Sequence, residues 1–274
     1  MSANLLPLEH LNETDIDFLA AAVSPRPDAR DRIARLLRDG GAVIERALDD
    51  ERTHRALQAG GSPVQRLSPY LLFAVLLHRR RRASGGGDPG EGLLASPWTR
   101  HYLAELLATF SRMPPGMVSL SLGGRSFRTP LHEVDLAALN KIALLASEAE
   151  RLAIYRRLGD LTLFLSSVTA GSSEPVGSDR ERVAPPYSEE ELEREGRRYY
   201  EYAAQHRGAA TSYLGRTLPE LATRYGEARQ LLRQVLGDDL PRVYPGGLAA
   251  LARRHADSQQ FGDMALSTPD GGRE

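Results

Sequence analysis

A chain of 274 residues, 41% hydrophobic and 26% charged, carries enough apolar surface to bury a core, and its net charge of −1 gives no long-range field for drawing in nucleic acid or anionic lipid. It has no cysteine, which excludes disulfides, thiolate metal sites, iron–sulfur clusters and cysteine nucleophiles. Lys141 is the single lysine, so a Walker-type phosphate loop or a Schiff-base enzyme would have to use it, and it stands in a helical pattern without the glycines such a loop needs.

In chain order, the opening residues meet Glu9 and Glu13 early and lack the basic and apolar regions of a secretory leader. Asp28 to Asp39 and Ala42 to Gln58 read as two amphipathic helices broken by Gly40-Gly41. Ser68-Pro69 and Ser96-Pro97 place an N-cap and a first helical residue in order, and Thr129-Pro130 reads as a third start of the same kind. The helix from Pro69 runs through the longest apolar stretch, Tyr70 to Leu77, to the arginines at 79–82, whose cations suit the negative end of the helix dipole. A membrane span needs about 20 apolar residues. The sequence therefore predicts no membrane span and a cytoplasmic protein.

Trp98, Tyr102, Leu103, Leu106, Leu107 and Phe110 recur at helical spacing until Pro114-Pro115-Gly116. Alternation around Gly123-Gly124 predicts one β-hairpin over about 117–128. A long helix is expected from Leu131 toward Leu158, while Leu161 to Val168 fits a helix end or a strand equally. Gly, Ser, Pro and charge over 171–187 are linker composition. Ser188 with Glu191 makes a capping box that starts a helix to about His206, and further helices are expected over 218–236 and 248–255, before a tail over 257–274 with disordered composition. The fold class is mainly α, a multi-helix orthogonal or bundle-like domain with one small hairpin. Its regions are a helical region over 1–170 and a C-terminal helical hairpin over 188–256.

Few motifs carry chemistry. Gly85-x-Gly87-x-x-Gly90 follows an arginine run and contains Pro89, so it reads as a linker and not as a dinucleotide loop. Ser126 falls on the hairpin, away from any strand-to-helix turn that would make it a nucleophile. Glu51-x-x-His54 has di-iron spacing but no second pair, and His78, His101 and His132 are scattered, so neither a metal nor a cofactor is expected.

Two surfaces remain. Seven of the ten tyrosines lie from Tyr187 onward, and Glu195, Tyr199, Tyr202 and His206 fall on one helix face, as a stripe suited to a protein partner, a second copy or a small-molecule pocket. Arg79, Arg80, Arg81 and Arg82 supply basic charge, and a helix from Trp98 to Arg112 followed by a hairpin with Arg125 and Arg128 at its turn has the helix-then-basic-wing order of a winged-helix nucleic-acid reader. The leading expectation is a non-enzymatic protein-interaction or regulatory module. Nucleic-acid binding, or an enzyme or ligand-binding protein built on the tyrosine helix, are the alternatives.

Overall fold

The structure, a computed structural model, describes residues 8–83, 92–113, 117–122, 125–130, 135–168 and 187–254. The Gly85–Gly90 segment, the glycine pair at 123–124, His132, the linker up to residue 186 and the tail over 257–274 lie outside the described residues.

The chain is mainly helical and bundle-like. A 3-10 turn at Leu8–His10 leads into α1 (Glu13–Val23), where Asn12 and Asp15 form a reciprocal capping box. Asp15 also accepts from the Ser68 amide at 2.8 Å, which ties this opening segment to the start of a helix far along the chain. The helices α2 (Pro27–Asp39), α3 (Gly41–Asp49), α4 (Glu51–Gln58) and α5 (Ser62–Gln65) follow. The single helix expected over 42–58 is two. Asp50 leaves helical backbone space, and its carboxylate accepts from the Arg52 amide at 2.8 Å, so one aspartate both ends α3 and caps α4.

The centre of the fold is α6 (Pro69–Ala83) against α7 (Pro97–Ser111). Both start where the Ser-Pro pairs predict. Ser68 Oγ accepts from the Leu71 amide at 3.1 Å, and Ser96 Oγ from the Thr99 amide at 3.3 Å. Every side chain of α6 from Tyr70 to His78 is buried, as befits a helix covered all round.

The backbone over Met117–Leu122 (β1) and Arg125–Pro130 (β2) runs as an antiparallel pair, from Met117 opposite Pro130 to Leu122 opposite Arg125. Thr129 and Pro130 therefore lie in β2 and do not start a helix. The next helix, α8 (Leu136–Leu145), begins at Asp135, whose carboxylate accepts from the amides of Ala137 and Ala138. The long helix expected toward Leu158 is broken at Ala146-Ser147. It restarts as α9 (Glu148–Val168), which absorbs the ambiguous run over 161–168.

The second half consists of α10 (Glu189–Ala204), α11 (Arg207–Ala210), α12 (Leu214–Thr223), α13 (Tyr225–Gln234), a π turn at Val235–Asp239, α14 (Leu240–Val243) and helical residues 247–254. The capping box of Ser188 and Glu191 stands at the start of α10. One helix was expected over 218–236; Arg224, at φ −107° and ψ 30°, divides it.

Side chains from Ile16 to Leu251 join one continuous core. Two close approaches involve α10: a Cβ on Gly159 of α9 would sit 2.7 Å from the Tyr200 ring of α10, and one on Gly196 of α10 would collide with the Tyr225 ring of α13. Glycine is required at both places to leave room for the ring beside the backbone. Among the described residues no helix is long and apolar enough to cross a membrane.

Candidate metal centre

The tyrosine stripe of α10 has separate partners. Tyr199 is buried and donates to the Leu136 carbonyl at 3.3 Å. Tyr202 is exposed beside Arg198, whose guanidinium lies 5.6 Å from the ring centre and donates to the hydroxyl at 3.0 Å. Glu195 pairs with Arg194 at 3.4 Å and Arg198 at 3.6 Å. His206 contacts the Glu148 carbonyl through Nε2 and caps α11 by accepting from the Gly208 amide at 3.3 Å.

Much of the arginine run is engaged within the chain. Arg80 pairs with Asp239 and donates to Gln234 at 3.0 Å, Arg81 pairs with Asp49 at 2.6 Å, and Arg82 donates to the Asp49 carbonyl at 2.5 Å. Arg79 is half-buried in the same helix. Arg125 and Arg128 stand on β2, and their side chains lie outside the described residues. The Glu51 and His54 pair is likewise divided, with Glu51 on Arg55 at 3.4 Å and buried His54 on the Leu48 carbonyl at 2.7 Å.

Two polar clusters flank α7. The first surrounds His78, which is buried between Glu45 at 3.7 Å and Asp49 at 3.6 Å. Arg100 binds Glu45 at 2.7 Å and reaches the His78 Nε2 at 3.3 Å, and it donates to the Leu94 carbonyl at 2.6 Å. Burial alone would raise the Glu45 pKa, but hydrogen bonds and charge from His78 and Arg100 outweigh it and bring it down to about 2. Here each carboxylate faces a cation.

The second cluster has another character. Trp98, His101 and Glu105 occupy one face of α7, at i, i+3 and i+7. His10, from the opening 3-10 turn, brings its ring to 5.2 Å from that of His101 and 5.0 Å from that of Tyr70. One ligand atom each from His10, His101 and Glu105 lie within 4.8 Å of one another. Ligands of a first-row ion, bonded at about 2.1 Å, stand about 3.4 Å apart.

The surroundings prepare these donors. Tyr70 Oη lies 2.8 Å from His101 Nδ1, which leaves Nε2 as the free ligand atom. Burial lowers the His101 pKa to about 4, so its ring is neutral and its lone pair is available at neutral pH. Burial would raise the pKa of Glu105, but the Arg156 charge and hydrogen bond hold it below the usual carboxylate value. Arg156 donates to Glu105 Oε1 at 2.9 Å, while Tyr213 reaches Oε2 only at 3.4 Å. Behind Arg156, which lies 5.0 Å from the centre of the Tyr102 ring, buried Asp160 accepts from Tyr102 and, at 3.0 Å, from Tyr200. The geometry joins a neutral imidazole and an ionised carboxylate to a second imidazole.

Half of this site was legible. His101-x-x-x-Glu105 places an imidazole and a carboxylate on one helix face, a spacing visible in the chain but indistinguishable by itself from ordinary surface chemistry. His10 carries no such signal, because its position depends on how the first turn docks between α6 and α7. Comparison with family models, with curated proteins and with solved structures finds no match to this chain.

Proposed function

We propose that this chain is a metal-binding protein that holds a divalent first-row transition ion through His10, His101 and Glu105. The observation that carries the reading is the convergence of three donor atoms within 4.8 Å. Two imidazoles and a carboxylate form a donor set that zinc and iron(II) both accept, and three protein ligands leave coordination positions open to an incoming molecule. An ion there would supply Lewis acidity. Tyr70 would accept a hydrogen bond from His101 Nδ1–H and aim Nε2 at the ion, while Arg156 would fix the Glu105 carboxylate.

Titration of chelator-treated protein with Co(II), followed by d–d absorption, tests the reading. One equivalent is expected to bind, to be displaced by Zn(II), and to bind at least about tenfold more weakly in His101→Ala and Glu105→Gln. The absence of saturable binding, or equal binding by the variants, overturns it.

A second reading, contact between copies of the chain, is favoured by α8, which leaves Ile142, Leu144 and Leu145 exposed at 44%, 59% and 88%. A symmetric contact needs only this one patch, repeated on both copies. Light scattering is expected to show a concentration-dependent dimer that Leu145→Glu abolishes, and a monomer at all concentrations ends this reading.

A further inference from the structure

The second cluster also specifies what would meet the ion, an inference that rests on the metal reading. With a divalent ion in place, the ion and Arg156 outweigh the charge of Glu105, and of Asp160 behind it, so the immediate site stays net positive. An open coordination position in such surroundings favours a monoanion over water.

The site is also walled on one side by aromatic rings. Tyr213 meets the His101 ring edge-on with centroids 5.8 Å apart, and Trp98 stacks on Tyr213 at 5.7 Å with an interplanar angle of 18°. Trp98, Tyr213, Glu105 and His10 are each half-buried, so two of the donors and both rings of the aromatic pair keep some solvent exposure. Core tyrosines such as Tyr102, Tyr200 and Tyr225 are fully enclosed. A stacked pair left half-exposed beside metal donors is a surface on which a flat apolar group would gain burial.

We propose that the site takes a small organic carboxylate bearing a flat, apolar body, its head bound to the ion and its body laid against Tyr213 and Trp98. Benzoate and acetate are the probes, since they share the head and differ in the body.

The Co(II)-loaded full chain is titrated with each, following the d–d bands. Both are expected to shift the spectrum, with benzoate binding at least about tenfold more tightly, a difference of about 1.4 kcal/mol. Trp98→Ala is expected to bring benzoate down to the acetate level while leaving Co(II) binding intact, and Trp98→Phe to keep most of the preference. Equal affinities for the two anions, or no spectral response to either in a protein that binds Co(II), overturn this inference and leave the metal reading standing. Failure to bind Co(II) overturns the metal reading, and this inference with it.

Discussion

Arg100 and His101 are neighbours on α7, yet they serve opposite kinds of polar cluster. On the Arg100 side, Glu45 and Asp49 meet Arg100 and Arg81 at 2.7 and 2.6 Å, with His78 buried between the two acids. On the His101 side, two imidazoles and a carboxylate face one another, and the guanidinium of Arg156 binds Glu105 through Oε1. The difference separates two uses of buried polarity. Charges neutralised by their neighbours are architecture, costly to disturb and closed to an ion, whereas converging lone pairs have work left to do.

The largest expected effect lies on the first side. Arg100→Met would strip Glu45 of its cation and leave the Leu94 carbonyl without its donor, and a loss of about 3–5 kcal/mol is expected in urea denaturation. A loss under about 1 kcal/mol would mean that this cluster is no more structural than its neighbour.

Acid should act on the same side. The folded-state pKa of Glu45, at about 2, is below its unfolded value of 4.5, so the folded chain binds this proton more weakly than the unfolded chain does. The resulting stability is complete above about pH 4.5 and is lost as pH falls through about 2. It is expected to be on the order of 2 kcal/mol once screening at the partly exposed carboxylate is allowed for. Glu45→Gln should flatten this part of the pH–stability curve, and an unchanged curve would contradict the assignment.

On the second side the effects on folding are smaller and the effects on ion binding larger. Tyr70→Phe removes one buried hydrogen bond to His101, with an expected cost of about 1 kcal/mol in stability and about tenfold in Co(II) affinity. His10→Ala is expected to change stability by less than about 1 kcal/mol while weakening Co(II) binding at least about tenfold, which calorimetry measures directly. A variant at His10 that unfolds the chain as Arg100→Met does would erase the contrast.

The sequence carries the helical frame where local chemistry is strong. Ser68-Pro69 and Ser96-Pro97 start α6 and α7, and the Ser188 and Glu191 box starts α10, because cap and proline act within a few residues. It carries the breaks poorly. Asp50, Ser147 and Arg224 interrupt apolar stripes that would each read as one helix, since nothing in helical periodicity marks a residue that leaves the helix to satisfy a tertiary fit.

The same limit governs the polar clusters. The arginines of 79–82 look like a solvated helix end because Asp49, Asp238 and Asp239, which face them, come from remote parts of the chain. His10 looks idle because the bond from the Ser68 amide to Asp15, which helps dock the opening segment, spans more than fifty positions.

Gly159 has a consequence for the continuity of the molecule. With the Tyr200 ring of α10 seated on the bare backbone of α9 at Gly159, the halves before and after residues 169–186 are keyed together by shape as well as by the peptide chain that joins them. A protease cut anywhere between Val168 and Tyr187 would yield two polypeptides that still migrate as one particle and separate only in denaturant.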